Sequence, residues 1–147
     1  MTQLSPHFTL AEMTFSDTAA RMGINNGAPL EVVSNLKRTA NGLELVRKLL
    51  NNNAIRISSG YRCKALNDAV RGQPNSQHTS GKAVDFTSSY GPPSQIVKLI
   101  QKSGIEFDQC ILEFPGSPNG GWVHISFSDN PRKQVLAIDA KGTRSFA

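Results

Sequence analysis

Residues 76–88 read SQHTSGKAVDFTS and residues 122–128 read WVHISFS, and these two stretches decide both the fold and the chemistry. In Ala83-Val84-Asp85-Phe86-Thr87 a strand sends Val84 and Phe86 to one face and Asp85 to the other, because successive side chains alternate. Residues 122–127 alternate likewise, with Val123, Ile125 and Phe127 toward a core and Trp122, His124 and Ser126 opposite. His78 precedes the first strand in GQPNSQHTSGK, a polar stretch whose glycines and proline mark it as loop. Two imidazoles and one carboxylate are thereby placed where they can close on a single zinc ion. Three protein ligands leave a fourth position for water, the pattern of a catalytic rather than a structural site, so hydrolysis is the expected reaction.

Working outward, Ile55-Arg56-Ile57-Ser58 alternates as a strand over residues 54–58, followed by a short helix over 64–70. Pro29 opens a helix that runs to about residue 51, since proline is tolerated in a first turn. Leu30, Val33, Leu36, Ala40, Leu43, Val46 and Leu50 give that helix an apolar stripe at helical spacing. Thr9 caps LAEM, and Glu12 completes a capping box. Residues 93–103 read as a second amphipathic helix that packs through Ile96, Val97, Leu99 and Ile100. Strands are expected over 109–115, 122–128 and 133–139. The first of these should turn Cys110, Leu112 and Phe114 toward the core, leaving Ile111 and Glu113 on the other face. KGTRSFA reads as a loose tail or an edge extension. Helices before and among antiparallel strands indicate an α+β fold, a small antiparallel sheet that carries the zinc site and is packed with helices. At 147 residues, without repeats, low-complexity tracts or a linker, the chain reads as a single domain over 1–147.

The spaced pattern Ser76-x-His78-x-x-Gly81-x-Ala83-x-Asp85, followed by Trp122-x-His124, resembles the zinc peptidases of the M15 group. That group includes D-alanyl-D-alanine carboxypeptidases, D,D-dipeptidases and phage endolysins that cut L-alanyl-D-glutamate bonds. Ser59-Gly60-Tyr61-Arg62 and Leu66-Asn67 belong to the same likeness, which covers roughly residues 55–127. The resemblance implies that His78, Asp85 and His124 are metal ligands for one Zn2+ and that Arg62 points into the cleft. His7 lies outside the pattern and carries no expected role.

A zinc hydrolase also needs a base, and a carboxylate commonly serves. Glu113 lies on the non-core face, and if PGSPNGG connects the flanking strands as a hairpin it falls opposite or diagonal to His124. Asp108 sits in the core-facing register and stands as the alternative base. Some relatives carry their acid three residues before the last histidine, a position that here is Gly121. Arg62 offers fork-like donors to a substrate carboxylate or a developing oxyanion. Ser76 either orients a ligand or touches substrate, or else only caps a turn; Trp122 either lines the cleft or packs. In the expected mechanism the scissile carbonyl is polarised by zinc, while Glu113 takes a proton from the attacking water and passes it to the departing amine. Cys63 and Cys110 sit in no protease signature and are expected as free thiols. No GxSxG elbow, Walker loop or GxGxxG is present.

A net charge of +5 and a pI near 9.5 favour approach to polyanions. The basic residues are dispersed, however, and no nucleic-acid module is recognisable, so wall peptides are preferred as partner through the resemblance. Mean hydropathy is -0.31, no basic segment followed by an apolar one opens the chain, and no run is long enough for membrane insertion. The expectation is a monomer that stays cytoplasmic until phage lysis, or is carried in a virion, and then acts on the cell wall as an endolysin. Its expected function is zinc-dependent hydrolysis of amide bonds in peptidoglycan stem peptides, as a carboxypeptidase or an endolysin-type endopeptidase. Two alternatives stand beside it: a catalytically weak, metal-containing wall-binding or virion-structural module, and an intracellular D,D-dipeptidase whose covered pocket excludes polymeric walls.

Overall fold

A computed structural model describes residues 2–146. Strands β1 (Gln3–Ser5) and β2 (Phe8–Thr9) form a short antiparallel pair that the sequence pattern does not announce. Helix α1 (Leu10–Thr14) begins with the expected reciprocal cap: the Glu12 N–H donates to Thr9 Oγ1 and the Thr9 N–H to Glu12 Oε1, both at 3.1 Å. Helix α2 (Asp17–Met22) follows, capped by the Ser16 hydroxyl. Helix α3 (Leu30–Leu49) fully buries Leu36, Ala40, Leu43 and Val46, as its stripe requires. Leu30 departs from that stripe and is 90% exposed; the buried face starts at Val32 instead.

The remaining elements are β3 (Ile55–Ser59), α4 (Lys64–Ala69), a 3-10 turn over Gln77–Ser80, β4 (Ala83–Ser88), α5 (Pro93–Lys102), β5 (Gln109–Glu113), β6 (Trp122–Ser126), β7 (Gln134–Asp139) and β8 (Gly142–Ser145). Strands β3 to β8 form one six-stranded sheet in the order β3-β4-β6-β5-β7-β8. The four strands nearest the candidate site pair antiparallel, and β7 then joins β5 in parallel. Within the C-terminal KGTRSFA stretch, Gly142–Ser145 form β8, an edge extension of the sheet. The chain is α+β. Val84, Phe86, Val123 and Ile125 share one buried cluster with Leu36 and Leu43 of α3 and Ile96 and Ile100 of α5. Each such side chain contributes about 1.5–3 kcal/mol by leaving water. With the core on that side, the opposite face of β4, β6 and β5 is left for polar side chains.

Phe114 breaks the alternation expected of it. Strand β5 ends at Glu113, and Phe114 takes φ 50, a left-handed conformation that reverses the path of the chain. Its ring is consequently exposed and lies 5.4 Å from that of Trp122 rather than in the core. No helix among the described residues is long and apolar enough to cross a membrane.

Candidate functional site

Cross-strand register assembles the site. Asp85 on β4 lies directly opposite His124 on β6, while on β5 Ile111 is opposite His124 and Glu113 is opposite Trp122. Glu113 is therefore the diagonal neighbour of His124 on the face turned away from the core. His78 arrives from the 3-10 turn, where Ser76 Oγ accepts the His78 N–H at 3.2 Å. Ser76 is thus the cap of the turn that delivers His78.

The His78 ring is buried, and its Nδ1 lies 2.8 Å from the carbonyl oxygen of Gly60. A carbonyl only accepts, so Nδ1 carries a proton and Nε2 is the nitrogen left to face Asp85 and a metal ion. Gly60 has to be glycine for this approach, since a Cβ there would collide with the carbonyl oxygen of Met13. His78 Nε2 lies 3.3 Å from Asp85 Oδ1, and His124 Nδ1 lies 3.0 Å from the same oxygen. Ligand atoms of all three residues fall within 4.8 Å of one another, and the two imidazoles meet edge to face. Ligand arms of 2.0–2.2 Å around a tetrahedral ion imply edges of roughly 3.3–3.6 Å, close to the two separations from Asp85 Oδ1. Nε2 and a carboxylate oxygen approach this closely only with a cation between them, either a proton on the ring or a metal ion. The donor set thus fits a metal ion such as zinc, held by His78 Nε2, Asp85 Oδ1 and His124 Nδ1.

Charge follows the same logic. Burial works to raise the Asp85 pKa, but the imidazoles of His78 and His124 outweigh it and hold this carboxyl well below the usual carboxylate range. Glu113 shifts upward, through burial first and the nearby Asp85 charge second, against opposing pulls from His124, the Trp122 N–H and His78. Trp122 Nε1 donates to Glu113 Oε2 at 2.8 Å, which fixes the carboxylate and leaves Oε1 open. Burial lowers the Arg62 pKa, while Asp85 and Glu113 act to raise it. Arg62 Nη1 donates to Asn67 Oδ1 at 3.2 Å, and its buried Nε has no hydrogen-bond partner among the described residues.

His78, Asp85, His124, Glu113, Arg62, Ser76 and Trp122 all line one cleft of about 820 Å3, within the range usual for small-molecule sites. Asp108 is not at this site as a base: its side chain is 3% exposed and receives Arg132 Nε and Nη2, each at 2.8 Å. Those bonds hold its carboxyl well below the ordinary range. Gly121 has φ +77, and a Cβ there would run into the carbonyl oxygens of Glu113 and Phe114, so no acid can occupy that position in this backbone. His7 lies outside the cleft and pairs with Glu44 at 2.7 Å. Both cysteines are free, and burial pushes the Cys110 thiol up to about 12, which removes it as a nucleophile near neutral pH. Sequence reading overlooked Gln109 and Arg132, which also line the cleft. Nothing singles out Arg132 among sixteen lysines and arginines until the fold brings it there.

A cleft that gathers two imidazoles and a carboxylate able to hold a metal ion, with a second, fixed carboxylate over the same sheet, fits the metallohydrolase class. Within that class the chain belongs to the Peptidase M15 family, whose match covers residues 6–126, and it is accordingly a peptidase. No curated protein matches the chain.

Proposed function

We propose that the chain is a zinc-dependent peptidase that hydrolyses amide bonds in peptidoglycan stem peptides. The supporting observation is the convergence of His78 Nε2, Asp85 Oδ1 and His124 Nδ1 in a cleft that Glu113 and Arg62 also line. When bound, zinc polarises the scissile carbonyl and lowers the pKa of water toward neutrality. Glu113 Oε1 accepts the proton of the attacking water, because Oε2 is already engaged by Trp122. The burial that raises the Glu113 pKa increases its proton affinity, which suits a general base. The same oxygen then returns the proton to the departing amine. Arg62 lines the cleft and offers guanidinium donors to a substrate carboxylate or to the oxyanion that develops at the carbonyl.

The test is mass spectrometry of material released from purified peptidoglycan by the metal-loaded protein, run beside Glu113→Ala. Released wall peptides, absent with the variant, are expected. Tight peptide binding without release would replace this reading with the wall-binding module. Cleavage of D-Ala-D-Ala without action on walls would replace it with the dipeptidase.

A further inference from the structure

The cleft extends past the three candidate ligands to a second cation. Gln109, Ile111 and Glu113 follow one another along the cleft face of β5, and Arg132, in the segment between β6 and β7, joins the lining at the Gln109 end. Four residue steps along the strand carry Gln109 to Glu113, roughly 13 Å. That span equals about three to four residues of an extended peptide.

Arg132 is held firmly at this end. Its N–H, Nε and Nη2 all donate to the Asp108 carboxylate, at 3.0, 2.8 and 2.8 Å. The backbone on either side is tied down as well, by Lys133 N–H to Phe107 O at 3.0 Å and Gln134 N–H to Asp108 O at 2.9 Å. Asp108 is spent inward, also receiving Gln77 Nε2 at 2.9 Å, whereas the Arg132 side chain remains 56% exposed. Its Nη1 has no partner among the described residues. One edge of the guanidinium is therefore clamped and the other is presented in a fixed orientation, the arrangement that suits directional recognition of a carboxylate. Arg62, by contrast, is tied to the reacting end, its backbone N–H donating to the carbonyl oxygen of His78 at 3.1 Å.

We propose that Arg132 is a specificity residue that binds a carboxylate of the substrate about three to four residues from the amide that is cut. The preferred substrate is then a peptide carrying an acidic group at that distance. The inference rests on the peptidase reading above, but the residue lies beyond positions 6–126 matched to the family.

The probes are muropeptides with free carboxylates and the same muropeptides with those carboxylates amidated. Metal-loaded wild type should favour the free form by about tenfold in KM, the size of one charge-assisted contact, with kcat little changed. Arg132→Lys keeps a cation beside Asp108 but loses the planar fork, and it should abolish the preference while staying folded at a somewhat lower Tm. The double variant Asp108→Asn/Arg132→Gln, which removes both charges together, should abolish it too. Persistence of the preference in both variants would overturn the proposal, as would equal losses on the two probes. Calorimetric binding of both probes to Glu113→Gln is measured in parallel and should show the same preference. Should wild type cleave neither probe while that binding preference holds, hydrolysis fails and the subsite stands. Should it cleave both equally with no binding preference, the subsite fails and hydrolysis stands.

Discussion

Asp85 and His124 stand directly across from each other on β4 and β6, with Asp85 Oδ1 3.0 Å from His124 Nδ1. Two of the three candidate ligands are therefore placed by strand register alone. A slip of one residue would turn both into the core, where Val84, Phe86, Val123 and Ile125 already resist any such shift by their burial. The third ligand, His78, is oriented by the Gly60 carbonyl, so a hydrogen bond does for it what register does for the other two.

Zinc binding should accordingly stabilise the folded chain. At a free metal concentration one hundred times Kd the gain is about 2.7 kcal/mol, or roughly 5–10 °C in Tm for a chain of this size. His78→Ala should lose both the bound metal and that increment. Metal analysis beside thermal melting checks it, and a fully metallated variant would remove His78 from the ligand set.

Glu113→Ala should keep its zinc and lose activity by about two to four orders of magnitude, the contribution of a positioned base. Trp122→Phe, which deletes the N–H held by Glu113 Oε2, should cost less, on the order of tenfold in kcat. Steady-state kinetics with metal analysis separates the two effects. Full activity in Glu113→Ala would move the base to another group, and the clamped Asp108 is not a substitute.

The ligand-bearing strands were legible because β4 and β6 are buried on one face only, which imprints a period of two on Val84, Asp85 and Phe86 and on Val123, His124 and Ile125. The sequence leaves Ser76 and Trp122 between two roles, and their hydrogen bonds define what each touches. The alternation misplaces Phe114 because a left-handed residue ends β5 two positions early, and apolar periodicity carries no sign of φ. The parallel pairing of β7 with β5 was equally hidden, since a half-buried strand reads alike in either direction. Arg132 shows the deeper limit: its place depends on a buried carboxylate 24 positions earlier in the chain, a relationship with no local pattern.

Asp108 makes stability depend on acid. Its folded pKa lies below its ordinary value of 3.8, so the unfolded chain binds the proton more readily. The stabilisation is complete above the unfolded value and is lost as pH falls through the folded one. Asp108→Asn should cost about 2–4 kcal/mol near neutral pH, because it strips the charge-assisted bonds from a buried position. The gap between wild type and variant in urea unfolding should close progressively below about pH 4. A gap that stays constant into strong acid would show that the carboxylate charge contributes nothing.

Gly121 bears on whether an acid at that position could replace Glu113. Its φ of +77 disfavours any side chain, and the atoms that a Cβ would strike are backbone oxygens of Glu113 and Phe114, which cannot rotate away. Gly121→Ala should therefore cost about 1–3 kcal/mol through its left-handed backbone alone. It should also lower kcat by displacing the end of β5, and with it Glu113, while zinc content stays unchanged. For the same reason Gly121→Glu should not restore activity to Glu113→Ala, since the new carboxylate would have to grow through the strand that holds position 113. Recovery of even one-tenth of wild-type turnover in that double variant would mean that the β5–β6 connection can be remodelled cheaply, and that the placement of the base is set by the loop rather than by strand register.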